Sequence, residues 1–72
     1  MITREGETTI VETQMGDCKT EVWAGGETVT PGLFELRIIN WHTPPDREEG
    51  AVELTRDEVI ALMARMTEWL DK

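Results

Sequence analysis

The chain has 72 residues and a formal net charge of −8 at pH 7, from fifteen acidic residues against seven basic ones. A field of that sign repels nucleic acid and anionic membrane and attracts basic protein surfaces, although the same acidity also serves simply to keep a small protein in solution. The one cysteine, Cys18, excludes an internal disulfide, and at this length a core only narrowly outweighs chain entropy, so every large apolar residue counts.

A small domain without a disulfide staple suits a reducing, cytoplasmic setting. The N-terminus carries no apolar run of signal-peptide length, and no run in the chain is long enough to cross a bilayer, so a soluble protein is expected.

In chain order, residues 1–7 are polar and lack a period, which predicts a loosely held lead-in. Residues 8–15, TTIVETQM, alternate imperfectly and are rich in β-branched side chains, as in a half-buried strand. Gly16-Asp17 then reads as a two-residue hairpin loop, with glycine supplying the positive φ of a type II′ turn, and residues 18–24 form the returning strand. That turn sets the register. Met15 faces Cys18, Thr13 faces Thr20 and Val11 faces Val22 on one side of the sheet. Gln14 with Lys19, Glu12 with Glu21 and Ile10 with Trp23 share the other. Two glutamates directly opposite one another are mildly destabilising, by ~0.2–1 kcal/mol, and need an explanation.

Two glycines end the second strand and Pro31-Gly32 precedes the next. A Pro-Gly pair favours a type II turn, which fits a tight hairpin poorly, so residues 25–32 are expected to be a longer connection, with a short strand in its middle as the alternative. Residues 33–41, LFELRIINW, are the most strand-like stretch, with Phe34, Leu36 and Ile38 on one face and Leu33, Glu35, Arg37, Ile39 and Trp41 on the other. Residues 42–50 hold two prolines and a run of charge, and are expected to be a loop. A short strand follows over 51–54, with Val52 and Leu54 turned inward.

The C-terminal stretch 56–71 predicts an α-helix. Val59, Leu62, Met63, Met66, Trp69 and Leu70 recur at intervals of three and four, and Thr55 with Glu58 forms a capping box at the start. Burying six such side chains would contribute on the order of 10 kcal/mol before entropy. The expected architecture is α+β: one domain over 1–72, an antiparallel β-meander of three or four strands with the single C-terminal helix packed across one face. A coiled-coil homodimer through the helix stripe competes less well, since the pattern covers only about two heptads and leaves the apolar strand residues without a cover.

Catalytic candidates are few. Cys18 is expected on the inward face beside a turn, the place of a small core residue rather than a nucleophile. His42 has Asp46, Glu48 and Glu49 nearby, but a loop of this kind lacks the fixed ligand spacing of a metal site. No phosphate-cradling glycine loop and no Ser-His-Asp set can be named, so the sequence is read as non-enzymatic, without cofactor or metal. The outer sheet face draws attention instead. Glu12, Glu21, Trp23, Glu35, Ile39, Trp41 and Glu53 fall there by alternation, with Ile10 beside them, and tryptophan is the residue type enriched in binding hot spots.

The first expectation is therefore a non-catalytic protein-binding module whose acidic and aromatic face docks on a basic protein surface. In its sharpest form the glutamates mimic DNA phosphates and inhibit a nucleic-acid-binding protein. In size and acidity the chain resembles phage-encoded inhibitors of host or CRISPR machinery. A second expectation is single-stranded nucleic-acid binding on the sheet, as in the PC4-like coactivators, with Trp23 and Trp41 stacking bases; the glutamates oppose it. The third is a homodimer in which two outer faces meet around Ile10, Trp23, Ile39 and Trp41.

Overall fold

The computed structural model describes residues 1–42 and 46–72. Five antiparallel strands run in sequence order, β1 (Ile2–Glu5), β2 (Thr8–Met15), β3 (Cys18–Gly26), β4 (Phe34–Trp41) and β5 (Arg47–Leu54), followed by α1 (Arg56–Leu70). The class is α+β, a β-meander with one C-terminal helix, as expected, but with five strands instead of three or four.

The extra strand is β1, where a loose lead-in was expected. Its signal lies in Gly6-Glu7, a two-residue loop of the same kind as Gly16-Asp17. Gly6 has φ 60° and Gly16 has φ 61°, and among the described residues no non-glycine takes a positive φ, so each loop has its positive φ at the first position, as a type II′ turn requires. The Gly16 turn sets the expected register, with Met15 opposite Cys18, Val11 opposite Val22, Glu12 opposite Glu21 and Ile10 opposite Trp23.

Gly25 is the extra residue of a bulge between Ala24 and Gly26, with φ 94°. Residues 27–33 then connect to β4 as a loop without a strand, turning through Gly32 at φ 85°. At the other end of β4 the loop expected over 42–50 is shorter. Arg47 to Gly50 already pair with β4, because Arg47, Glu49, Ala51 and Glu53 continue a strict alternation that the density of charge obscures. Residues 43–45 of that expected loop lie outside the described residues.

The helix departs most from expectation. Its capping box is present: Glu58 N–H donates to Thr55 Oγ1 at 3.3 Å and Thr55 N–H to Glu58 Oε1 at 2.8 Å. Its apolar stripe, however, is not buried against the sheet. No helix residue is buried, and Met63, Met66, Trp69 and Leu70 are each more than half exposed. Only Thr55 separates β5 from α1, so the end of the strand fixes the helix direction. The helix meets the sheet near Ala24, Phe34, Leu36 and Leu54, on the expected side, and leaves the rest of that face uncovered. Val11 is 40% exposed, Ile38 45% and Val52 53%, and Cys18 is exposed as well.

Among the described residues the buried apolar ones are Ile10 and Ile39, and both lie on the face expected to be open. No second layer covers them. Their neighbours on this face are long side chains: Trp23 stands opposite Ile10, and Trp23, Arg37 and Trp41 line the same hollow as Ile39.

Candidate functional site

Strand alternation and the β3–β4 register bring Glu21, Trp23, Glu35, Arg37, Ile39 and Trp41 to one face, and β5 adds Arg47 and Glu49. Together with Thr8, Gly26 and Glu27 these residues line an open trough of about 630 Å³.

Glu21 is the hub of the trough. Trp41 donates its indole N–H to Glu21 Oε1 at 2.7 Å, and Trp23 donates to Oε2 at 3.0 Å, so both carboxylate oxygens hold a tryptophan in place. Burial pushes the Glu21 carboxyl up, but hydrogen bonds from Trp41 and Trp23 and the charge of Lys19 outweigh it and hold the group below the usual carboxylate range. The cross-strand pair Glu12–Glu21 exists as the register demands, and its repulsion has a local answer. Lys19 Nζ lies 3.6 Å from Glu12 Oε1 and 3.7 Å from Glu21 Oε1.

A second ionic group sits beside the first. Arg37 pairs with Glu35 through Nη2–Oε2 at 3.1 Å and with Glu49 through Nη1, and these contacts raise its already high pKa. Arg47 Nη2 lies 3.6 Å from the other oxygen of Glu49. Lys19 and Arg47 also stand over the Trp41 ring, 5.4 and 5.2 Å from its centroid, within cation–π range.

Of the expected partner-binding residues, Glu12, Glu21, Trp23, Glu35, Ile39 and Trp41 share this face, though with different roles. Ile39 and Glu35 are buried floor, so a partner would meet Trp23, Trp41 and the cations above them. Glu53 stands apart functionally. Its carboxylate accepts from the backbone N–H groups of Val29 (2.9 Å) and Thr30 (3.4 Å), pinning the β3–β4 loop. Arg47 and Glu49 belong to the site and were missed, because the same REEG segment read as loop. Gly26 belongs too, since a Cβ there would stand 2.5 Å from Glu35 Oε1.

His42 Nε2 lies 3.6 Å from Glu48 Oε1, and among the described residues no group of three or more His, Cys, Asp or Glu side chains converges as metal ligands. Among the described residues, no helix is long and apolar enough to cross a membrane. No known family matches the chain, and no curated protein or solved structure is significantly similar to it.

Proposed function

We propose that the protein is a non-catalytic binding module that receives a basic segment of a protein partner in the trough between Trp23 and Trp41. The observation that carries this reading is the seating of Lys19 and Arg47 over Trp41 beside Glu21 and Glu49. The trough thus accommodates cationic side chains on an aromatic ring backed by carboxylates, and a partner's Lys or Arg would use the same chemistry by displacing the partly exposed Lys19 or Arg47 from it. The net charge of −8 draws such a segment in.

The DNA-mimic form of this reading is less favoured. Glu12 and Glu21 share Lys19, Glu35 and Glu49 are paired with Arg37 and Arg47, and Glu53 is taken by backbone donors. Carboxylates so committed stand in poorly for a row of free phosphates, so a general protein-binding or inhibitory role is preferred to mimicry. One observation favours single-stranded nucleic acid as a second reading. Three of the seven basic residues, Lys19, Arg37 and Arg47, lie on this face beside two tryptophans, which is the composition of a stacking platform with phosphate contacts.

A single titration separates the two. Tryptophan emission is followed while an arginine-rich peptide or an oligothymidylate is added at low and at high salt, with Trp41→Ala as control. Saturable quenching by the peptide, weakened by salt and by Trp41→Ala, is expected. Response to the oligonucleotide alone would transfer the site to the second reading, and response to neither would discard both.

A further inference from the structure

We infer that a second copy of this chain covers the apolar side of the sheet, each helix laying its stripe on the other copy's sheet face. This goes beyond the binding trough, which lies on the opposite face.

Three observations converge on it. The first is a shortage of core. Among the described residues Ile10 and Ile39 are the buried apolar ones, no side chain is fully buried, and the helix buries none of its own. A chain of this size cannot stand so much uncovered apolar surface, so the cover must be constitutive, which a second copy is by its nature.

The second is area. Val11, Phe34, Ile38 and Val52 on the sheet and Leu62, Met63, Met66, Trp69 and Leu70 on the helix are 38–71% exposed. Together they leave apolar surface on the order of the ~800 Å² that one partner contributes to a standard interface. It exceeds the largest patch usual on a monomer, about 300–600 Å².

The third is self-complementarity of shape and charge. Between helix and sheet lies a groove of about 320 Å³ lined only by Ala24, Phe34, Leu36, Leu54, Val59, Leu62, Met63 and Met66. The last turns of the same helix present Trp69 and Leu70 as protruding apolar groups. A surface carrying both knob and hole is what a two-fold interface needs. The paired row Ile2–Val11–Val22–Ile38–Gly50 contains no ionisable side chain, and the row Arg4–Thr9–Ala24–Leu36–Val52 contains one, the cationic Arg4 on the edge strand. In a chain of charge −8, the centre of this face carries no acidic side chain, and its charges, Arg4 and Glu48, sit on the two edge strands, so two copies approach through it with little repulsion. The expected homodimer through Ile10, Trp23, Ile39 and Trp41 has no such advantage, since charged groups crowd that face.

Sedimentation of the 72-residue chain is the first test. A dimer is expected throughout the micromolar range, with an unfolding midpoint that rises with protein concentration; a folded monomer on the order of 100 µM would overturn the proposal. Ile38→Glu and Trp23→Ala then locate the interface. Ile38 is 45% exposed in one copy, so a monomer would tolerate glutamate there. In the dimer, Ile38→Glu should raise the dissociation constant by roughly 100-fold or more, or leave the chain unfolded, while Trp23→Ala leaves the dimer intact. A folded Ile38→Glu dimer of unchanged affinity, or a dimer lost through Trp23→Ala alone, would refute the assignment.

Discussion

Trp41 and Glu21, on adjacent strands, are joined by an indole-to-carboxylate hydrogen bond of 2.7 Å, and the second oxygen of the same carboxylate is taken by Trp23. One acidic side chain therefore sets the spacing and tilt of both aromatic walls. Glu21→Gln tests this directly. Glutamine offers one acceptor oxygen and turns an amide N–H₂ toward the other indole donor, so one bond is replaced by a donor–donor contact, and Lys19 loses part of its pairing. A loss of about 1–3 kcal/mol in denaturant unfolding is expected, with a shift in tryptophan emission. A change within about 0.5 kcal/mol would mean that the two indoles are held by packing alone.

The same carboxylate gives the protein a pH dependence whose sign can be worked out. Its folded-state pKa lies below the ordinary glutamate value of about 4.3, so its contribution to stability is complete above that value and is lost as pH falls through the folded pKa. Thermal unfolding should change little in this respect from pH 7 to about 5 and weaken below about 4, with tryptophan emission moving in the same range. In Glu21→Gln the acid limb should be shallower. An identical limb in the variant would assign acid sensitivity to other carboxylates.

Glycine at position 25 is required for two separate reasons. Its φ is 94°, and a Cβ would stand 2.8 Å from the Glu7 carbonyl oxygen, which is backbone and cannot swing away. At Gly16, φ is 61° and nothing lies within 4 Å of the added atom. Gly16→Ala should therefore cost about 1 kcal/mol, the conformational term alone, and Gly25→Ala measurably more, with the β2–β3 and β3–β4 edges of the trough disturbed. Equal losses in the two variants would show that the bulge relaxes around the methyl group.

Much of the backbone was legible because it is specified locally. Gly16-Asp17 determines its own turn and hence the partners of eight-residue β2, while Thr55 and Glu58 mark the helix start without reference to anything distant. The identical logic at Gly6-Glu7 would have found β1. Side-chain alternation then grouped the tryptophans and glutamates correctly on one face. What could not be read was which face supplies the core. Charged residues read as wet, yet Lys19 lies between Glu12 and Glu21 and Arg37 between Glu35 and Glu49, so that the carboxylates are paired within the face, and Ile10 and Ile39 are buried among them. The position of the helix was equally illegible. Its stripe reveals that Met66, Trp69 and Leu70 need a cover, whereas the periodicity is the same whether the cover is its own sheet or another molecule's.

The helix cap provides a last prediction, because within one copy α1 has little except local interactions to hold it. A 15-residue helix without tertiary burial is marginal in water. Its first turn is secured by Thr55 Oγ1 and by the Glu58 carboxylate, which accepts from the Thr55 backbone N–H and is thereby held below the usual carboxylate range. Thr55→Ala removes one of these two bonds and should cost about 1 kcal/mol. If a second copy covers the stripe, the loss appears as a lower unfolding midpoint with far-UV dichroism unchanged at ordinary concentration, since burial of Leu62, Met66 and Trp69 keeps the helix formed. On dilution toward the monomer, helical signal should be lost earlier in Thr55→Ala than in the parent chain. A helical signal that falls at all concentrations alike would show that the cap, and no partner surface, sustains the helix.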